Sequence, residues 1–402
     1  MRLLFVVQRY GEAVLGGAEA YARQFASRMA ERGHEVEVLT SCARSYVDWA
    51  NVYPAGTTVA DGVKVHRLAT ARNRDAGFYE LRPRVEGLLG RAPLYLQNEL
   101  VRLQGPYMPE LPQWLEERSS GYDCTCFFTY LYSTTVVGMP ASRAPLVLHP
   151  TAHAEPPIYL SAYDGLFRLP DGFAFLTPEE AAYVQRRFGV YRPSSVTGIG
   201  IEPASRADGD VVRRLGLEGR PYLVYVGRVD VSKGAVDLAN YFARYKRRRP
   251  GPLALVYVGE SMVTLPPGSD VVLTGFVDEA TRDAVLAGAR LLVQPSPFES
   301  FSIALCEAWS FGVPALVRAR SDVMVAQARR SGGALAFESY AEFEAALDLL
   351  VEDTALRARM GSAGSRYVAE NYSWTIVLER YERLLERVTA SRRPQSCSGY
   401  PS

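Results

Sequence analysis

Apolar residues in this 402-residue chain fall into two kinds of run. Leu3–Val7 is a continuous apolar run, and short apolar stretches recur at 125–128, 145–149 and 173–176. That pattern predicts strands buried on both faces, as in a parallel sheet. Between the first of them and the next strand, "HEVEVLT", lies "AEAYARQFASRMAERG", with apolar residues at 18, 21, 22, 25, 26, 29 and 30. This is helical spacing, and Gly33 closes the helix. The first forty residues therefore read as a β-α-β opening.

The alternation weakens between about residues 70 and 121, where prolines, aromatics and arginines mix. Irregular helices covering the mouth of a cleft are expected there. It resumes after "YRPSSVTGIGIEPASRADGD", a stretch that reads as a linker or hinge. Then come strand "PYLVYVG", helix "GAVDLANYFARYKRRR", strands "LALVYVG" and "DVVLTGFV", helix 278–288, strand "RLLVQPS", helix 301–311 and strand "PALVRA". Strands alternating with helices of this length predict parallel sheets. The chain thus reads as two doubly wound α/β halves joined near residues 194–207. A last helix, "SWTIVLERYERLLERV", closes the fold, and the polar tail at 391–402 is expected to be disordered.

Composition narrows the function classes. The hydrophobic share is 48% and the charged share 22%, those of an ordinary globular protein. A net charge of +1 gives no field to draw nucleic acid or anionic lipid. Lysine occurs three times, as Lys64, Lys233 and Lys246. Of five cysteines, only Cys124 and Cys126 are close, and no second pair completes a zinc set. Reduced thiols and a cytoplasmic location are expected. The N-terminus lacks a signal-peptide pattern, and no apolar run is long enough to span a bilayer.

Two stretches carry chemistry. In "SPFESFSIALCEAWSFGVPALV", Glu299 falls in the strand-to-helix loop and Glu307 inside the helix. Ligands of open α/β sheets bind beyond the carboxyl ends of strands, and a helix N-terminus there offers amides to an anion. Eight residues of helix rise roughly 12 Å. One extended ligand could meet Glu299, the amides and Glu307 in turn, with hydroxyls at both ends. A nucleoside diphosphate sugar has that anatomy. The same residues also suit a loop acid plus a helix acid paired with a buried arginine. The second stretch, "YVGRVDVSKG", puts Arg228 and Lys233 in one loop before a helix, with Gly227 at the turn. A fork and a point charge at a helix start suit a diphosphate.

The E-x7-E after "PSPF", followed by "GVP", resembles the retaining glycosyltransferases of the GT-B fold, in family 4 (glycosyl transferases group 1). The G-R…K-G arrangement at 227–234 is similar to that family's diphosphate motif. The resemblance implies two Rossmann-like domains facing each other across a cleft: 1–200 for the acceptor, 201–371 for the nucleotide sugar, and a helix 372–390 crossing back to the first. It implies that Glu299 contacts the transferred sugar and Glu307 the ribose, while Arg228 and Lys233 clamp the diphosphate. The loop "LGGAEAYAR" resembles the family's first glycine-rich loop, which implies a donor role for Gly16 and Gly17. Phe301 and Ser302 complete the donor set, although Ser302 stands where many members have glycine. His153, rather than His149, fits the family's post-strand histidine near the anomeric carbon, although Ala154 replaces the usual acid. The implied catalytic set is His153, Glu299, Arg228 and Lys233.

The expected activity is retaining, metal-independent transfer from a nucleotide-diphosphate sugar, with no further cofactor. The acceptor is expected to be a small molecule, a glycan or a lipid-linked hydroxyl. Nucleic acid is not expected as a partner, and a basic turn at 245–250 leaves peripheral contact at the inner face of the membrane open. A nucleotide-sugar epimerase, a sugar phosphorylase, or a catalytically silent nucleotide-sugar-binding partner would use the same fold.

Overall fold

A computed structural model describes residues 1–390 apart from Leu15, Asp75, 89–90, 204–208, Pro267 and Ser269. The tail expected to be disordered lies outside the described residues, as does part of the expected linker. The chain forms two compact units. Unit 1 holds Met1–Thr197 and the chain from Leu378, and unit 2 holds Gly198–Val377.

Unit 1 is built on strands β1 (Arg2–Val6), β2 (Glu35–Ser41), β3 (Gly56–Ala60), β4 (Val63–Leu68), β5 (Cys124–Phe128), β6 (Leu146–His149), β7 (Gly172–Phe175) and β8 (Ser194–Val196). Their order is β3-β4-β2-β1-β5-β6-β7-β8, and every pairing is parallel except β3 with β4. That exception is a hairpin turning at Asp61-Gly62, both at positive φ (52° and 77°). Asp-Gly is favoured there because a two-residue turn of this hand needs positive φ at both positions. β8 lies inside the stretch expected to be a linker. Its three residues extend the sheet through β7 instead of hanging free.

Unit 2 holds β9 (Tyr222–Val226), β10 (Ala254–Val258), β11 (Val271–Leu273), β12 (Leu291–Gln294), β13 (Ala315–Arg318) and β14 (Ala334–Phe337). All pairings are parallel, in the order β11-β10-β9-β12-β13-β14. This is the doubly wound arrangement. The winding direction reverses between β9 and β12, and ligands bind in the crevice beyond the carboxyl ends at such a switch point. β9 and β10 are almost wholly buried and read YLVYV and ALVYV, as two-sided burial requires.

The weakly patterned region folds as three helices, Ala76–Glu86, Leu94–Gln104 and Leu111–Arg118. They cover the unit 1 core with Phe78, Leu100, Leu111 and Leu115. The last helix, Trp374–Ala390, starts in unit 2 and continues into unit 1 from Leu378. There Tyr381, Leu384, Leu385 and Val388 are fully buried, and Arg32 grips Glu382 through two nitrogens at 2.9 and 2.7 Å. Among the described residues, no helix is long and apolar enough to cross a membrane.

Candidate active site

The loop after β9 is organised by a residue that the sequence reading passed over. Asp230 takes the Arg228 Nε–H on Oδ2, and its Oδ1 accepts from Ser232 Oγ (2.7 Å) and from the Lys233 amide (2.8 Å). Tyr225 OH donates to the Arg228 carbonyl at 2.7 Å. One carboxylate therefore sets both the Arg228 side chain and the Lys233 main chain. Burial raises the Asp230 pKa, but the donors from Ser232 and Arg228 outweigh it and leave the group below its ordinary value. An Asp three residues before a lysine at a helix start was the available signal, because short acids bond local amides at such turns.

The helix Ala235–Arg248 follows Gly234, which has φ 71°. A Cβ on Gly234 would stand 2.6 Å from the Pro295 carbonyl oxygen, so only glycine lets this loop touch the loop after β12. That contact places Lys233 Nζ 2.7 Å from Glu299 Oε1. The two residues follow β9 and β12, the strands that flank the switch point. Two side chains 66 positions apart thus meet where the fold favours a ligand.

The next helix is Ile303–Ser310, shorter than the expected 301–311. Its boundary is set by Ser302, which adopts φ 69° and cannot continue a helix backwards. The Ser302 hydroxyl is buried, makes no cap bond and has no partner. Phe301 is 2% exposed and packs edge-on against Tyr372, with ring centroids 4.9 Å apart. Its ring is core, so what it can offer a ligand is main chain. Glu307 pairs with Arg282 at 3.2 Å, and Arg282 also holds Asp283 at 3.0 Å. Arg282 lies on the helix Glu279–Gly288. Burial pushes the Glu307 pKa up, and Arg282 partly offsets it. An arginine beside this acid was one of the two readings of the stretch, but which arginine was not legible, since a helix position does not disclose a partner on another helix.

In unit 1, Gly16 has φ 152°, and a Cβ there would lie 2.2 Å from Glu19 Oε2. Glu19 and Arg9 form a buried ion pair, with Arg9 Nε at 3.0 Å and Gln8 Nε2 at 2.7 Å from the same oxygen. Gly16 and Gly17 thus open a helix, Gly17–Glu31, whose first turn is anchored from below.

The two histidines of "LHPTAH" part company. His149 is fully buried. It shares hydrogen bonds of 2.7 Å with Tyr21 OH and 3.0 Å with Tyr381 OH, and it stacks on Phe128. Burial pushes its pKa down to about 3, so it stays neutral. His153 is partly exposed, with Nε2 3.5 Å from Glu155 Oε2. Glu155 also accepts from Tyr130 OH at 2.9 Å. The acid beside His153 therefore comes two positions later instead of at Ala154. The loop that carries His153 passes through Thr151 at φ 51° and is pinned by Glu180, which accepts the Ala152 and Leu176 amides at 2.6 Å each. Burial raises the Glu180 pKa to about 8 against those two bonds.

Comparison with known proteins bears on the family and the fold. Residues 211–367 match the Glycosyl transferases group 1 family, and residues 16–200 match the Glycosyl transferase 4-like domain. The chain is 26% identical to a D-inositol 3-phosphate glycosyltransferase of Arthrobacter sp. (strain FB24), over 96% of this chain and 94% of that one. It is 23% identical to a glycogen synthase of Mycobacterium tuberculosis, over 98% and 97%. Among solved structures, sucrose-phosphate synthase from Thermosynechococcus elongatus superposes with a TM-score of 0.74 at 17% identity, covering 97% of this chain and 99% of that one. Anabaena HepE, solved in complex with UDP and glucose, superposes with a TM-score of 0.70 at 17% identity, covering 97% and 100%.

Proposed function

The chain belongs to the glycosyl transferases of group 1, the family 4 type with the GT-B fold, and we propose that within it this enzyme transfers a sugar from a nucleotide-diphosphate donor with retention of configuration. The observation that carries this reading is the meeting of Lys233 and Glu299 at the unit 2 switch point. A cation for phosphate and an acceptor for hydroxyls stand side by side, as the junction between a diphosphate and its sugar requires. Arg228 and Lys233 take the diphosphate, Glu299 the sugar hydroxyls and Glu307 the ribose, with the main chain at Phe301 and Ser302 between them. Unit 2 binds the donor and unit 1 serves the acceptor, with Gly16 and Gly17 assigned to the donor and His153 to the anomeric carbon.

As the glycosidic bond breaks, negative charge grows on the leaving diphosphate, and Arg228, Lys233 and the helix start at Ile303 stabilise it without reorganisation. The departing phosphate then takes the proton of the acceptor hydroxyl on the same face. Relatives and neighbours named for sugar-phosphate chemistry make a phosphorylated polyol or sugar the first acceptor to try. Glycan and lipid-linked hydroxyls, the latter with peripheral membrane contact, come next. The clamp is made of cations, so no divalent ion is needed.

The test is proton NMR of the first product formed from UDP-sugars of known anomeric configuration, with and without EDTA. Retention in both conditions is expected. An inverted centre would make His153 a general base, and activity lost to EDTA and restored by magnesium would overturn the cation clamp.

A further inference from the structure

The donor site holds its two clamp cations differently. Arg228 is tied to Asp230 within its own loop, and Asp230 is locked further by Ser232 and the Lys233 amide. Lys233 has its carboxylate partner on another loop, in the residue assigned to the sugar. The lysine side chain is 36% exposed and that of Glu299 13%. Lysine is a point charge on a flexible stem, whereas arginine is a planar fork. Lys233 can therefore change partners while Arg228 stays in place.

We propose that Glu299 is the internal counter-ion of Lys233, and that this pairing lets the site hold a loaded donor more firmly than a spent nucleoside diphosphate. The inference rests on the donor-site reading above. A sugar brings hydroxyl donors to Glu299. Its carboxylate is then satisfied without Lys233, and the whole ammonium charge goes to the diphosphate. Once the sugar has left with the acceptor, those hydroxyls are gone. A largely buried carboxylate without donors is costly, so Glu299 takes Lys233 back. The diphosphate loses part of its cation and leaves more readily. Sugar recognition and diphosphate recognition are thereby coupled through one ion pair. The contact at Gly234 and Pro295 keeps the two loops close enough for the exchange.

This predicts an effect of opposite sign to that of an ordinary site residue. Glu299→Gln removes the competing charge and keeps the volume. It slows transfer, but it should bind UDP more tightly than the wild type. The expected gain is about two- to fivefold, the range an ion pair with one partly exposed member commands. Product inhibition by UDP should strengthen by the same factor.

The experiment is calorimetric titration of UDP into the wild type, Glu299→Gln, Glu299→Ala, Lys233→Ala and the double variant Lys233→Ala/Glu299→Gln. Circular dichroism monitors the fold of each. Both Glu299 variants should tighten UDP binding, and the gain should vanish when Lys233 is alanine. UDP affinity that is equal or weaker in folded Glu299 variants overturns the counter-ion role and leaves the donor site standing. A wild type that binds none of UDP, GDP or ADP takes down the donor-site reading and this inference with it.

Discussion

Arg282 Nη2 stands 3.2 Å from Glu307 Oε1, so the acid assigned to the ribose is held by a guanidinium from another helix. Burial favours the protonated form of Glu307, and Arg282 favours the carboxylate. Only the carboxylate accepts from both ribose hydroxyls. In Arg282→Ala the opposing charge is gone and the pKa rises further. On acidification, UDP affinity of that variant should therefore begin to fall at a higher pH than that of the wild type. Parallel pH profiles for the two proteins would show that Arg282 does not tune the acid.

Glu307→Gln swaps an acceptor for a donor at the same volume. Nucleotides with 2′- and 3′-hydroxyls should lose affinity, while a dideoxyribose analogue should hardly notice. Equal losses for both ligands would make Glu307 a purely structural partner of Arg282.

Asp230 fixes Arg228 and the Lys233 main chain together. Asp230→Ala should cost UDP about 1–2 kcal/mol of binding, the scale of hydrogen bonds to charged groups. Asp230→Asn keeps the acceptor facing Ser232 and the Lys233 amide but turns an N–H toward Arg228, so it should fall between. Calorimetry that finds Asp230→Ala as tight as the wild type would remove Asp230 from the clamp.

How far the sequence speaks depends on the range of the interaction. Strands buried on both faces appear as unbroken apolar runs, so β5, β6, β7, β9 and β10 are visible in it. The hairpin of β3 and β4 escapes because β3 is an exposed edge strand, GTTVA, with little apolar signal. Glu299, Glu307, Arg228 and Lys233 are legible because each lies in a local motif at a strand end or helix. Their partners are not. Arg282 reaches Glu307 from another helix, and the Lys233–Glu299 pair exists only because Gly234 lets two loops touch. His149 and His153 share one short stretch, yet only tertiary packing shows that the first is sealed between Tyr21 and Tyr381.

Ser302 combines a left-handed backbone with a buried, unpartnered hydroxyl. Each feature costs on the order of 1 kcal/mol or more, partly offset by the greater chain entropy that a glycine would lose on folding. Ser302→Gly should stabilise unit 2 by about 1 kcal/mol and raise its urea midpoint. A lowered midpoint would mean that the serine side chain supports the loop.

His149 links pH to stability. Its folded pKa of about 3 lies below the ordinary value of about 6.5. Between these values the unfolded chain binds a proton that the folded chain refuses. Stability is thus fully present above pH 6.5 and falls on acidification toward 3, by up to about 1.4 kcal/mol per pH unit. Thermal unfolding of His149→Phe between pH 7 and 4.5 should show a shallower loss than the wild type. Identical slopes would show that the burial of His149 does not set this dependence.

In the proposed donor site, the loops after β9 and β12 take a nucleoside diphosphate sugar, clamped by Arg228 and Lys233. Calorimetric titration of UDP-sugar into the wild type, Arg228→Ala and Lys233→Ala tests it most directly. Saturable binding to the wild type is expected, weakened in each variant by roughly 1–3 kcal/mol, the scale of hydrogen bonds to charged groups. Affinity unchanged in both variants would contradict the clamp.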